Sequence, residues 1–302
     1  MAPDLRKYFA KTFQLAVTVA TVVVVLRVAN QHKSELGDIE VSWNVKWLIA
    51  AGVGTTIANL LLPLGWKQIL FSLGETVRTR RAVRIWTLAQ TARYIPTGIF
   101  AVVSRVQLAA REGIARSSTL FSVAVETLIL VGWALFLCAV YLPSEALHWA
   151  LKVLLSSTLL IALLTLPWTF SKAAKGLQKV LARDIPALST GYLIQGIGTL
   201  GASIFVRAVG TVCLAAGILD ITSADIGVII GATYVGVVAG MIGITPAGLG
   251  VREGVTTALL VSQFGFTDAA AFALFGRAWE FAFEIMFLAI ASWWGRQRSA
   301  SG

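Results

Sequence analysis

Apolar residues fall in long runs separated by short polar stretches. The runs cover Phe13 to Ala29, Trp47 to Leu64, Thr119 to Leu142, Leu151 to Phe170, Ala187 to Leu219, Ile226 to Ile244 and Asp268 to Trp294. Within them apolar residues face every direction of a helix, as lipid-embedded helices require. A membrane-crossing helix needs about 20 such residues. Ala187 to Leu219 exceeds that length, which predicts a tilted, bent or partly interfacial segment. Two shorter stretches break the pattern. Ile85 to Ala110 is interrupted by Arg93, Pro96 and Arg105, and Gly248 to Phe264 opens with Arg252 and Glu253. Each carries a Pro-x-Gly break beside ionisable residues, which predicts half-helices or re-entrant segments. Irregular backbone at membrane depth is tolerated only where protein or a wet cavity surrounds it. The expected fold is all-α: a polytopic transmembrane bundle of about seven or eight spans with two broken segments, forming one domain over 1–302.

Composition agrees. Of 302 residues 57% are hydrophobic and 13% charged, with a mean hydropathy of +0.79. Soluble domains carry about 25% charged residues, so a soluble enzyme, a disordered chain and a nucleic-acid-binding domain are excluded. The net charge of +10 is then a topology signal. The stretch from Trp66 to Arg116 holds nine basic and two acidic residues, and Ser171 to Asp184 four basic and one acidic, whereas 143–150 and 220–225 have no Lys or Arg. By the positive-inside rule these alternate, with the N-terminus inside. The first run reads as a retained anchor without a cleavage site. Lys172 to Arg183 reads as a basic amphipathic interfacial helix. Cys138 and Cys213 sit in apolar runs, and His32 and His148 in loops. No metal or other cofactor is expected, nor a nucleotide, since no Walker A pattern occurs.

Ionisable residues inside spans mark function. Besides Arg27, close enough to a helix end to snorkel, they are Arg93, Arg105, Glu126, Arg207, Arg252, Glu253, Arg277, Glu280 and Glu284. In Thr245-Pro246-Ala247-Gly248-Leu249-Gly250-Val251-Arg252-Glu253 a helix restarting near Val251 would aim its N-terminus into the break, an environment suited to phosphate or carboxylate. Arg252 adds a bidentate cation, and Glu253 could orient it or bind an ammonium or a proton. Arg277, Glu280 and Glu284 share a helix face. Arg277 and Glu280 are expected to pair, leaving Glu284 for Arg207 or Arg252. The first break, Arg93-Tyr94-Ile95-Pro96-Thr97-Gly98, precedes Arg105 and then Glu126. Pro96 and Pro246 lie 150 positions apart. Paired breaks suggest repeat halves, about 44–142 and 187–294, of undetermined relative orientation, with a binding site between them. A glycine-rich face at Gly191, Gly196, Gly198 and Gly201 suggests close helix packing.

Arg93-Tyr94-Ile95-Pro96-x-Gly98, Arg105, Glu126 and Pro246-x-Gly248-Leu249-Gly250-Val251-Arg252-Glu253 together resemble the flippase-like membrane family. That family is typified by the transmembrane flippase domain of lysylphosphatidylglycerol synthase, the multiple peptide resistance factor. The resemblance follows nearly the whole chain in order. It departs at Thr97 and Ala247, where the family often has glycine. It implies translocation of a lipid between leaflets of the cell membrane by a stand-alone domain, with membrane lipids and a separate lipid-modifying synthase as partners. The residues expected to meet the lipid are Arg93, Tyr94, Pro96, Gly98, Arg105, Glu126, Arg207, Pro246, Gly248, Gly250, Arg252, Glu253, Arg277 and Glu280. Arg93, Arg105 and Arg252 would engage a headgroup phosphate. Two other readings stand beside this one. In one, an enzyme acts on a lipid phosphate or lipid-linked sugar through Glu126, Glu253 or Glu280. In the other, a scaffold docks a synthase on the basic stretch Arg78 to Arg84.

Overall fold

The computed structural model describes residues 43–94, 99–141, 148–181, 189–242 and 246–296. Among them there are eight α-helices, two short 3-10 turns and no strand. The elements are α1 (Val45–Ser72), α2 (Thr79–Gln90), a 3-10 turn (Thr91–Tyr94), α3 (Ile99–Arg111), α4 (Arg116–Tyr141), α5 (Trp149–Leu181), α6 (Thr190–Ile218), α7 (Asp225–Ile242), a second 3-10 turn (Pro246–Gly248) and α8 (Val251–Arg296). Five of the helices are long and apolar enough to cross a membrane, and the apolar stretch Asp225–Met241 of α7 is shorter. The chain is a multi-pass membrane protein. The expected spans of Trp47 to Leu64, Thr119 to Leu142 and Leu151 to Phe170 lie in α1, α4 and α5. The run Phe13 to Ala29, with Arg27, and also His32, lie outside the described residues.

Ala187 to Leu219 contains a single helix of 29 residues, about 43 Å long at 1.5 Å per residue; it exceeds a hydrocarbon core of about 30 Å as expected, and of the expected alternatives only the bend is absent. Two other expectations change. The stretches 248–264 and 268–294 form one element, α8, bent at Gly265, whose φ is +78°. The basic stretch after Lys172 continues α5 as far as Leu181 rather than forming a separate helix.

The helices α1 and α6 pack along each other in opposite directions. At one end the Asn44 amide donates to the Gly217 carbonyl (3.1 Å), and at the other the Ser189 amide donates to the Ser72 carbonyl (2.9 Å). Small residues allow the approach: a Cβ built on Gly54 would lie 3.2 Å from the Gly210 Cα. Gly196 also faces α1 and Gly201 faces Trp133 of α4, whereas Gly191 and Gly198 face open space. The expected glycine face is therefore divided between two neighbours within the chain. Substituting Gly54 by valine forces α1 and α6 apart and is expected to cost about 1–3 kcal/mol, read as a lower melting temperature in detergent.

The α1–α6 pair gives the bundle two ends. The end with Ser72 and Ser189 is strongly basic: Arg78, Arg80, Arg81, Arg84, Arg111 and Arg116 are exposed there. Helices α2 and α3 form a hairpin that enters from this basic end. Arg81, near the start of α2, bridges to Glu112, just past α3, at 3.0 Å. With 12 and 13 residues, these arms reach only about 20 Å, too short to cross a hydrocarbon core of about 30 Å. Helix α7 and the first part of α8 form a second hairpin. It enters from the far end, where Gln263 Nε2 donates to Asp225 Oδ1 at 2.7 Å. The two 3-10 turns at the hairpin tips touch each other. The second break, at Pro246–Gly248, is a short 3-10 turn between two helices, and residues 95–98 of the first break lie outside the described residues.

Candidate functional site

The ionisable residues form two groups and a link. The larger group surrounds Glu280, on α8 beyond the bend. Arg252, at the start of α8, forks onto it with Nη1–Oε2 and Nη2–Oε1 both at 2.8 Å. Arg207 of α6 lies 3.8 Å away and Arg277 lies 3.6 Å away. Arg207 also donates to Asn59 Oδ1 of α1 at 2.5 Å. Helices α1, α6 and α8 thus converge on one carboxylate. At 1.5 Å per residue the group lies about 20 Å from the far end, near mid-membrane.

The second break is held by these same charges. Helix α8 begins at Val251 as expected. Its N-terminus is capped by Glu253, whose Oε2 accepts from the Gly250 amide at 2.6 Å. The other Glu253 oxygen faces Arg277 Nε at 3.4 Å, and Arg277 Nη2 donates to the Ala247 carbonyl at 3.1 Å. This corrects the role expected of Glu253: Glu280 orients the Arg252 fork, while Glu253 caps the helix. Gly248, with φ +70°, packs so closely on α7 that an added Cβ would sit 2.9 Å from Gly240. Ala247 has φ +53° and is the one non-glycine residue with positive φ among the described residues. The left-handed conformation is costly for any residue with a Cβ. Ala247→Gly is therefore expected to raise stability by up to about 1 kcal/mol, seen as a higher melting temperature.

A narrow cleft adjoins the Glu280 group. Its lining includes Arg207, Arg252, Glu253, Arg277, Glu280 and Thr233, and it encloses about 50 Å³. That holds water and is far below the 300–1,000 Å³ of a small-molecule site. The lining continues along α6 to Leu214 and along α8 to Phe272, towards the far end. Three guanidinium groups face two carboxylates, so the cleft carries one excess positive charge. Two buried oxygens, Thr233 Oγ1 and Glu253 Oε1, have no hydrogen-bond partner among the described residues.

The smaller group is sealed. Arg105 of α3 pairs with Glu126 of α4, and the two side chains are 7% and 4% exposed. Trp86 Nε1 donates to Glu126 Oε1 at 2.7 Å, and Trp66 Nε1 to Ser122 Oγ at 2.9 Å. The Arg105 guanidinium lies 5.5 and 5.4 Å from the centres of the Trp66 and Trp86 rings, within cation–π range. Arg105 and Glu126 do not line the cleft. The link is Arg93, at the first hairpin tip, which pairs with Glu284 of α8. Glu284 therefore does not partner Arg207 or Arg252 as expected, whereas the Arg277–Glu280 pair forms.

The structure brings together Arg207, Arg252, Glu253, Arg277 and Glu280, with Gly248 and Gly250 beside them. Of Tyr94 and Pro246 only the backbone is described, and Pro96 and Gly98 lie outside the described residues. Three further contributors are new: Asn59, Thr233 and Trp279, whose Nε1 donates to Thr55 Oγ1 at 3.1 Å. Asn59 had a signal, an amide alone in an apolar run. Thr233 and Trp279 had none.

The family model for the lysylphosphatidylglycerol synthase transmembrane region matches residues 13–287. The chain belongs to that family. No curated protein and no solved structure gives a significant match. The family domain takes up nearly all of the 302 residues. Membership makes this a lipid-related membrane domain.

Proposed function

We propose that the protein moves a phosphate-bearing lipid between leaflets, with the headgroup passing through the cleft at Arg252 and the tails remaining in the bilayer. The observation that carries this reading is the single excess positive charge around Glu280 near mid-membrane. Uncompensated charge there is costly, and a monoanionic phosphodiester would balance it. Arg252, Arg207 and Arg277 supply the donors, and Thr233 adds an unpartnered hydroxyl. The cleft is narrow here, so binding requires it to widen, as membrane carriers do. Both cleft carboxylates are held in ion pairs or caps, which suits charge balance better than the proton transfer an enzyme would need. The basic end faces the cytoplasm in this reading, and Arg80 and Arg84 there would meet anionic lipid or an acidic synthase surface.

The experiment is lipid movement in vesicles containing purified protein, with fluorescent lipids that carry phosphodiester, aminoacylated phosphodiester, polyprenyl-phosphate or uncharged headgroups. Phosphate-bearing lipids are expected to cross and the uncharged lipid to stay. Equal movement of the uncharged lipid would sink the phosphate assignment. A chemically altered lipid, detected by mass spectrometry of the same vesicles, would favour an enzyme.

A further inference from the structure

The excess positive charge of the cleft has no route to neutrality through protons. Its three cations, Arg207, Arg252 and Arg277, are all guanidinium groups, and arginine stays protonated at any pH a folded protein meets. Protonating Glu253 or Glu280 would only add to the excess. An uncompensated charge at this depth is costly, which calls for an anion to balance it. The cleft encloses about 50 Å³. One water needs about 10–15 Å³, so this space admits a few waters or a monatomic anion and is too small for a phosphodiester. The counter-ion of the narrow cleft is therefore a different species from a lipid headgroup.

The hydroxyl groups around the charges include one suited to such an ion. Four threonines line the cleft. A threonine inside a helix often bonds the carbonyl four residues back. Thr55 Oγ1 donates in this way to the Ala51 carbonyl at 2.8 Å, and Thr211 Oγ1 to that of Arg207 at 2.9 Å. Thr256 Oγ1 reaches the Ala232 carbonyl at 3.5 Å. Thr233, on α7, is 8% exposed, and its Oγ1 has no hydrogen-bond partner among the described residues. A buried hydroxyl without a partner is costly, and an anion in the cleft would accept its hydrogen. Arg207 has donor capacity to match. Its Nη2 donates to Asn59, but its Nη1 lies 3.8 Å from Glu280, longer than a hydrogen bond. The group that opposes an anion is Glu253 Oε1. It faces Arg277 Nε at 3.4 Å, so Arg277 is spent on that oxygen.

We propose that the cleft binds one chloride or bromide ion at Arg207, Arg252 and Thr233, and that an entering phosphodiester headgroup displaces it. The displacement rests on the lipid-transport reading, whereas the halide site stands on the charge, volume and hydroxyl of the cleft. A phosphodiester carries the same single negative charge as the ion it replaces, so the cleft stays balanced throughout. Headgroup entry is then an exchange of anions, and chloride competes with it.

The test uses the full chain, purified in detergent and dialysed into sodium gluconate. Chloride or bromide is titrated in at constant ionic strength, with melting temperature as the readout. A saturable rise of about 3–6 °C is expected. Sulfate, a larger dianion, should give only the gradual, non-saturating rise of an excluded salt. Thr233→Val keeps the side-chain shape without the hydroxyl. It loses no internal hydrogen bond, so it should melt no lower than the native chain in gluconate, and it should need about tenfold more chloride for the same rise. Arg207→Gln brings the cleft to charge balance and should abolish the rise. Line broadening in chloride NMR of the same samples reads binding without unfolding the protein. Glycerophosphoglycerol, a soluble phosphodiester, should narrow the broadened line by competition. No saturable rise and no broadening overturns the proposal. Broadening that persists unchanged in both variants also overturns it, because chloride then binds elsewhere on the protein. Broadening that the phosphodiester does not reverse overturns the displacement. None of these readouts requires lipid to move. Vesicles that move no lipid, made from protein whose chloride the phosphodiester displaces, would overturn the transport reading and leave the halide site standing.

Discussion

Arg252→Ala is expected to yield a folded protein that moves phosphate-bearing lipid at about a tenth to a hundredth of the native rate. The fold survives because Glu280 keeps Arg207 and Arg277 within 3.8 and 3.6 Å, so no carboxylate is left alone in the membrane. Transport falls for two separable reasons. The variant loses the bidentate donor, and hydrogen bonds to charged groups contribute about 1.5–3 kcal/mol each, which corresponds to that range of rates. It also brings the cleft to charge balance, removing the reason for an anion to enter. Arg252→Lys separates the two, since it restores the charge without the planar fork and should recover part of the rate. The comparison is read from initial rates in vesicles at matched protein content, with melting temperature as the folding control. A native rate in Arg252→Ala would remove Arg252 from the site.

What the sequence revealed and what it concealed divide by range. The expected run Thr119 to Leu142 and the helix Arg116–Tyr141 differ by a few residues, because apolar length is a local property that lipid reads directly. The helix break at Pro246–Gly248 was legible, since a proline followed two positions on by a glycine breaks a helix wherever it lies. Partner choice was not legible. Arg93 meets Glu284 and Arg207 meets Asn59, across 191 and 148 positions, and nothing near either arginine specifies which helix will arrive beside it. Helix-face spacing found the neighbours Arg277 and Glu280 but could not show that three guanidinium groups share one carboxylate. The bend at Gly265 was read as a boundary between two segments because a glycine that ends a helix and one that redirects it look alike in sequence. At Ala247 the departure from the family's glycine falls on a left-handed backbone position, so the sequence marked a strained site before its geometry was known.

Glu280→Gln should be the most damaging substitution in the chain. Glu280 is the meeting point of Arg252, Arg207 and Arg277, and its neutral amide can accept only part of what the carboxylate accepts. The excess positive charge of the cleft doubles. Removing one partner of a buried ion pair costs about 3–5 kcal/mol because the remaining charge is left desolvated, and here three cations lose the same partner. A melting temperature lower by about 10 °C or more follows, with transport lost. The surface pair Arg81–Glu112, whose side chains are 43% and 27% exposed, provides the contrast. Water screens it, and Glu112→Gln should cost no more than about 1 kcal/mol. Saturating phosphodiester should recover part of the melting temperature of Glu280→Gln, because an anion bound in the cleft replaces the missing charge and stabilises the folded state by mass action. Recovery in Glu280→Gln without a matching shift in Glu112→Gln would locate the anion at the cleft. Equal shifts in both would mean that phosphate acts on the protein surface, and the charge argument for the cleft would fail.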